Sequence, residues 1–304
     1  IIVFTGAFHG RTALTMTMTA KKAYAIGMGP FPDGVYRAEF PNLFRAPGGM
    51  GEEEAIKYYV EKLKQVFIEA APADSVAAIV FEPVQGEGGF IPAPIEWVKA
   101  VRQICDENGI LMVCDEVQSG WARSGKMFAS QYFADAGCAP DIMTTAKSIA
   151  AGLPISAVTA RKESMDAVTP GTIGGTFGAN AVSAAAALKV IEIIERDDYC
   201  GKAMAISEKV TAKANEWVAK YDVVGNVRGM GAMMGIEFIT DKETKAPNAK
   251  VVADIVQYAQ SKGLLLESAG TYGNVIRFLC PLCVTDAQLD AGLAIFEEAI
   301  EACK

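Results

Sequence analysis

Lys147 ends a short apolar run, Pro140-Asp141-Ile142-Met143-Thr144-Thr145-Ala146-Lys147-Ser148, with Gly152 and Pro154 just beyond it. A strand there places the lysine in or near the interior, where desolvation lowers an ammonium pKa and leaves the neutral amine that condenses with aldehydes. Most lysines near strand ends reach water and do no chemistry, so Lys147 carries little weight alone. Asp115 adds to it by ending the run Ile110-Leu111-Met112-Val113-Cys114 and opening Asp115-Glu116-Val117-Gln118. A pyridine cofactor withdraws electrons only while its ring nitrogen stays protonated, which a neighbouring carboxylate secures. Val117 is suited to packing on a ring face, while a plain loop cap is the bland reading of Asp115. Glu82-Pro83-Val84-Gln85-Gly86-Glu87-Gly88-Gly89 is a glycine-rich turn with two acids, open to close ligand approach. It lacks the Gly-Lys-Ser/Thr ending of a Walker loop. Phe8-His9-Gly10-Arg11 sets an aromatic face beside a guanidinium, the group that grips carboxylates bidentately, although a solvated loop arginine is the commoner case.

The elements that position these residues alternate between strand-length apolar runs and longer amphipathic stretches, the pattern of a mostly parallel sheet covered by helices. Ala77–Phe81 and Ile110–Cys114 read as strands buried on both faces. Between them Ile95–Asn108 has helical periodicity and Gly109 is its stop. Ligands gather at the carboxyl ends of such strands, where Glu82 and Asp115 lie. Ile1-Ile2-Val3-Phe4 is a buried-strand pattern without a polar lead-in, so the sequence reads as starting inside a domain. Alanine-rich Ala181–Arg196 reads as a buried helix, and Lys202–Lys220 as the next amphipathic one. The expected division is a large unit, 1–200, and a smaller α+β unit, 201–304. In the latter, Met233–Ile239, Leu264–Glu267 and Val275–Leu279 are expected strands and Val251–Ser261 a helix. A last helix starts at Thr285, with Gln288 completing a capping box.

Composition narrows the classes. The 304 residues include 51% hydrophobic and 21% charged side chains, and the formal net charge is -8. That charge leaves no electrostatic footprint for nucleic acid or an anionic membrane, so small-molecule chemistry is the better expectation. No run approaches the ~20 apolar residues of a spanning helix, and seven scattered cysteines suit reduced thiols. A cytoplasmic location is expected. Cys280-Pro-Leu-Cys283 has ligand-like spacing but no second pair, and reads as two small thiols in an apolar pocket rather than a zinc site.

Phe-His-Gly-Arg, Glu-Pro-Val-Gln-Gly-Glu-Gly-Gly, Asp-Glu-Val-Gln, the Ala-Lys-Ser segment and Gly174-Gly175-Thr176 occur here in an order that resembles the class III, ω-amino-acid branch of fold-type I aminotransferases. The likeness runs from end to end. It is greatest to the bacterial enzymes of 4-aminobutyrate, notably at Tyr272-Gly273-Asn274-Val275-Ile276-Arg277-Phe278. The resemblance implies pyridoxal 5'-phosphate as cofactor, bound by Phe8, His9, Asp115, Val117, Gln118, Lys147 and Thr176. Phe8 and Val117 would flank the ring, Asp115 meet its nitrogen and Gln118 approach its phenolic oxygen. Lys147 would be the Schiff-base lysine. Thr176 would serve the cofactor phosphate of a neighbouring subunit, making a homodimer the smallest working unit. Arg11 would hold the donor's distal carboxylate and Arg277 the α-carboxylate of glutamate or 2-oxoglutarate. Glu82 would shape the substrate pocket, and Glu87 would pair with Arg277 and release it for the dicarboxylate.

The implied reaction moves the amino group of 4-aminobutyrate to 2-oxoglutarate. The same machinery on 5-aminovalerate, acetylornithine, ornithine or a diamine stays open. Family members also carry an N-terminal region that cradles the cofactor phosphate and precedes the strand opening this sequence; a fragment that associates without catalysis is therefore the alternative of a different class. The family's Thr-x-x-Gly-Asn-Pro stands here as Thr176-Phe177-Gly178-Ala179-Asn180-Ala181, and losing the proline is expected to loosen the turn into the next helix.

Overall fold

The computed structural model describes residues 1–304, apart from the side chain of Lys22. Twelve strands are found among the described residues: β1 (Ile2–Phe4), β2 (Tyr36–Ala38), β3 (Ala78–Phe81), β4 (Val84–Gln85), β5 (Ile91–Pro92), β6 (Leu111–Asp115), β7 (Ile142–Thr145), β8 (Ala157–Ala160), β9 (Val224–Met230), β10 (Met233–Phe238), β11 (Glu267–Ala269) and β12 (Val275–Phe278). Six of them form the main sheet in the order β2-β1-β3-β6-β7-β8, parallel except at the β7/β8 edge. The mostly parallel α/β sheet expected from the sequence is therefore present.

The helix Ile95–Asn108 covers this sheet because Trp97, Val98, Val101, Ile104 and Cys105 fall on one face and are buried. Gly109 then ends it at φ 66°, a left-handed position that glycine adopts without steric penalty. Phe4, Phe40 and Phe81 pack edge-on around Trp97, with ring centroids 5.0, 5.6 and 5.5 Å away. This aromatic centre sits directly beneath β1 and β3 and fixes the strand ends from which the Phe8 and Glu82 segments emerge.

The second sheet is antiparallel, β11-β12-β10-β9. The helices Tyr199–Lys220, Ala249–Ser261 and Asp286–Cys303 surround it with a separate core that includes Trp217, Phe238 and Phe296. Thr285 accepts from Gln288 N, and the Gln288 side chain returns to the Thr285 backbone, which completes the expected capping box. No helix among the described residues is long and apolar enough to cross a membrane.

Four expectations need correction. The helix Ala181–Arg196 has the expected bounds but only Ser183, Ala187 and Ile194 are buried, while Val182 and Leu188 lie open. Alanine reports helix propensity, not burial. The strand expected at Leu264–Glu267 begins instead at Glu267, because pairing with β12 sets its register through Glu267↔Arg277 and Ala269↔Val275. Strand β9 was not anticipated, since Val224-Gly-Asn-Val-Arg-Gly-Met lacks alternating apolar residues and is specified by its pairing with β10. Cys283 is exposed and Cys280 half-buried, so the two thiols do not share an apolar pocket. The missing proline near Thr176 is offset by Asn180, whose side chain caps the following helix at the backbone N–H groups of Val182 and Ser183.

Candidate active site

The carboxyl ends of β3, β6 and β7, with the loop after β1, bring Phe8, His9, Glu82, Asp115 and Lys147 together. Glu82 is buried just beyond β3, and its two oxygens accept from Phe8 N and Gly86 N, both at 2.9 Å. One carboxylate thus ties the Phe8-His9 loop to the glycine-rich turn. Burial raises its pKa to about 7; Asp115 adds to the rise, while His9 and the two backbone donors oppose it.

A carboxyl raised in the native state from 4.5 to about 7 keeps its proton there longer than in the unfolded chain. Its contribution to stability is therefore full below pH 4.5 and is lost as pH rises through about 7. The loss amounts to about 3 kcal/mol for this one group. Urea unfolding of the wild type and Glu82→Gln at pH 5 and pH 8 should show a steeper fall in the wild type. Parallel pH dependence would remove Glu82 as the source.

Asp115 ends β6. Its Oδ2 lies 2.8 Å from His9 Nδ1, and its Oδ1 accepts from Val117 N at 3.1 Å and Thr144 Oγ1 at 3.4 Å. These partners fix the carboxylate's orientation while leaving it 12% exposed. The adjacent Glu116 does different work: fully buried, it accepts from Ser119 Oγ and Ser130 N and holds the loop beyond β6 to the next helix.

Lys147 follows β7 with φ 49°, in the left-handed region that costs a non-glycine residue on the order of 1 kcal/mol. It is exposed, not buried as expected, because it stands beyond the end of β7, in the turn Lys147–Ala150 and not in the strand. Desolvation by the surrounding protein still lowers its ammonium pKa; Glu82, Asp115 and Glu87 push upward, and Arg277 pushes downward. Those four charges place Lys147 within electrostatic reach of both the main sheet and the second sheet.

Arg277 comes from β12. Its Nη1 donates to Glu87 Oε1 at 2.9 Å, Nη2 pairs with the exposed Glu267 at 3.1 Å, and buried Nε has no partner among the described residues. The expected Glu87–Arg277 pair is thus formed. Arg11 is exposed and lies over the Tyr24 ring at 4.1 Å, and Tyr24 also meets Phe8 edge-on at 5.5 Å. Val117 and Gln118 are half-buried, Val117 beside Asp115 and Gln118 against Gly86, and Gln118 Oε1 is a buried acceptor without a partner among the described residues. Thr176 is set apart, in a stretch whose residues 165–182 are all exposed.

Two groups of residues were not anticipated, the Lys21–Tyr24 pair and the cluster around Glu237. Tyr24 and Lys21 both contact Glu87, but Lys21-Lys22-Ala23-Tyr24 has no spacing that announces a site. Glu237 is buried on β10 between Arg45 and Arg228, with Asn274 Nδ2 at 3.2 Å. Arg228 also donates to Gly89 O at 3.0 and 2.7 Å, next to the turn bearing Glu87. This cluster joins the second sheet to the glycine-rich turn and so brings Arg277 to Glu87. Glu237→Ala strands two largely buried guanidiniums and should cost about 3 kcal/mol of stability. Chemical denaturation measures it, and a loss below about 1 kcal/mol, the range of a surface pair, would show the clamp to be minor.

The site suits a pyridoxal group on its own geometry. It combines an oriented carboxylate at a strand end, an amine with lowered pKa, and orphaned buried atoms at His9 Nε2 and Gln118 Oε1. A Cβ at Gly86 would lie 2.5 Å from Gln118 Oε1, so only glycine leaves that side chain its place.

Comparison with known proteins agrees. Residues 1–300 match the family described as aminotransferase class-III. The 5-aminovalerate aminotransferase DavT of Pseudomonas putida is 45% identical over 299 residues, which span 98% of this chain and 68% of that protein. The 4-aminobutyrate aminotransferase GabT of Escherichia coli is 42% identical over 304 residues, 100% of this chain and 69% of that protein. An amine transaminase from an uncultivated Pseudomonas species, solved in its PLP-bound form, superposes with a TM-score of 0.91 at 28% identity, covering 100% of this chain and 69% of its own. Sequence, sheet order and site geometry converge, and the chain belongs to the class-III aminotransferases, enzymes that transfer amino groups with pyridoxal 5'-phosphate.

Proposed function

We propose that this protein moves the amino group of 4-aminobutyrate to 2-oxoglutarate, giving succinate semialdehyde and glutamate. The observation that carries the reading is a pair of arginines, linked through Tyr24 and Glu87, in unlike states. Arg11 is free of a carboxylate partner among the described residues, whereas Arg277 is matched by Glu87. A donor with one carboxylate needs one open guanidinium; an acceptor with two needs the second released as well. Both relatives named above carry ω-amino acid names, which supports a donor of this class.

When bound, pyridoxal phosphate supplies an aldehyde for the donor amine and a ring that draws off the electrons freed at the donor carbon. Lys147 Nζ, whose ammonium pKa desolvation lowers, is the base that takes the proton from that carbon and delivers it to the cofactor carbon. Asp115, oriented by His9 and Val117 N, holds a cationic ring nitrogen. Phe8 and Val117 offer faces for the ring, and Gln118 Oε1 a polar contact at its edge. Glu82 shapes the pocket by tying the Phe8 loop to Gly86. The division into units 1–200 and 201–304 fits the two separate cores, with Arg277 supplied by the second. The exposed stretch carrying Thr176 includes Ile173 and Phe177 at 77% and 87% exposure, an apolar surface that supports a homodimer with Thr176 at the neighbour's phosphate. The scattered cysteines support a cytoplasmic setting.

The relative at 45% identity favours 5-aminovalerate as a second reading, since one extra methylene changes only the distance from Arg11 to the reacting amine. The test is the visible absorbance of the pyridoxal-phosphate-loaded protein mixed with each amine. Faster loss of the band with 4-aminobutyrate, restored by 2-oxoglutarate, is expected. Faster loss with 5-aminovalerate selects the second reading, and no change with either amine overturns both.

A further inference from the structure

The two oxygens of Glu87 keep different company. Oε1 accepts from Arg277 at 2.9 Å, while Oε2 accepts from the Tyr24 hydroxyl at 2.8 Å and the Lys21 ammonium at 3.3 Å. Lys21 Nζ also lies 3.3 Å from Tyr24 Oη. Arg277 arrives from the second sheet, whereas Lys21 and Tyr24 come from the segment after β1. Burial opposes the charge of Glu87, but Tyr24, Arg277 and Lys21 together hold its pKa below the ordinary value.

We propose that Lys21 and Tyr24 are the seat that retains Glu87 when Arg277 is taken by a substrate α-carboxylate, and that this seat lets one site accept both monocarboxylate and dicarboxylate substrates. The inference rests on the reading of Glu87 and Arg277 as a releasable pair. A half-buried carboxylate that loses its only cation is costly, so Arg277 would be hard to free if Glu87 had no second partner. Here the bonds to Oε2 can persist when the one to Oε1 is given up, and one of them comes from a cation. Arg277 in turn has an unpartnered Nε and a second nitrogen held only by an exposed glutamate, donors that an incoming carboxylate can recruit. Lys21 is thus a positioning residue that acts through Glu87, and Tyr24 couples it to Arg11, which lies on the same ring.

The experiment follows the two half-reactions separately by single-turnover absorbance, the amine half-reaction with the pyridoxal-phosphate-loaded protein and the 2-oxoglutarate half-reaction with the pyridoxamine-phosphate-loaded protein. Calorimetric binding of glutarate and butyrate to the pyridoxal-phosphate-loaded protein provides a readout without turnover. Removing a charged hydrogen-bond donor in Lys21→Met, or the hydroxyl in Tyr24→Phe, should slow the 2-oxoglutarate half-reaction about tenfold more than the amine half-reaction. It should weaken glutarate binding about tenfold more than butyrate binding, with partial recovery in Lys21→Arg. Equal loss in both half-reactions would mark a structural role, and greater loss with the amine or butyrate would make Lys21 a direct substrate contact; either overturns the proposal. Glu87→Gln separates the two levels of inference. If it impairs both half-reactions equally, the releasable pair itself is wrong; if it is selective while Lys21→Met is not, only the seat is wrong.

Discussion

Replacing Lys147 with alanine should slow amino transfer on the order of 10⁴-fold, the upper range for a positioned general acid–base, and the visible band of lysine-bound pyridoxal phosphate should disappear. The expectation rests on position as much as on residue type. Lys147 is held in a left-handed backbone conformation at the end of β7, with its ammonium pKa lowered by desolvation and in the fields of Glu82, Asp115 and Glu87. Desolvation at that position favours the neutral amine that can take a proton, which a fully solvated lysine does not gain. Stopped-flow absorbance with the amine measures the rate, and added methylamine tests whether an external base restores part of it. A variant that retains more than a tenth of the wild-type rate would show that another group moves the proton.

Asp115→Asn should lower kcat on the order of 10³-fold, about 4 kcal/mol of barrier, because a largely buried cation loses its matching charge. The carboxylate is not interchangeable with an amide here. Oδ1 accepts from Val117 N and Thr144 Oγ1 while Oδ2 faces His9 Nδ1, so an amide NH₂ would meet a donor whichever way it turned if His9 carries its proton on Nδ1. The loss should fall on kcat more than on KM for the amine, since the charge matters most as electrons move into the ring. A rise in KM with kcat unchanged would assign Asp115 to substrate binding instead. Unfolding by urea, run alongside, distinguishes a fold defect from either.

Local pattern carried much of this protein into view. Runs such as Ile-Val-Phe and Met-Val-Cys become strands because residues on both of their faces are buried, and the apolar face of Ile95–Asn108 commits it to a helix that Gly109 ends. The positions of Asp115 and Lys147 at strand ends were legible because each terminates such a run, at the edge where a parallel sheet presents its ligands. The pairing of Glu87 with Arg277, 190 residues apart, was reachable only through resemblance to a family. Nothing in their spacing selects one partner over another.

Tertiary structure decided what no local pattern encodes. Lys21 and Tyr24 meet Glu87 across more than 60 residues, and Glu237 meets Arg45 across 192, contacts that no local pattern announces. The exposure of Ala181–Arg196 and of Lys147 depends on what lies opposite them, and the register of β11 on the strand that pairs with it. The division has a physical cause. Strand and helix formation answers to residues a few positions apart, which a sequence displays directly. Ion pairs, burial and the fields that shift a lysine answer to distances in space, and those exist only after the chain has closed upon itself.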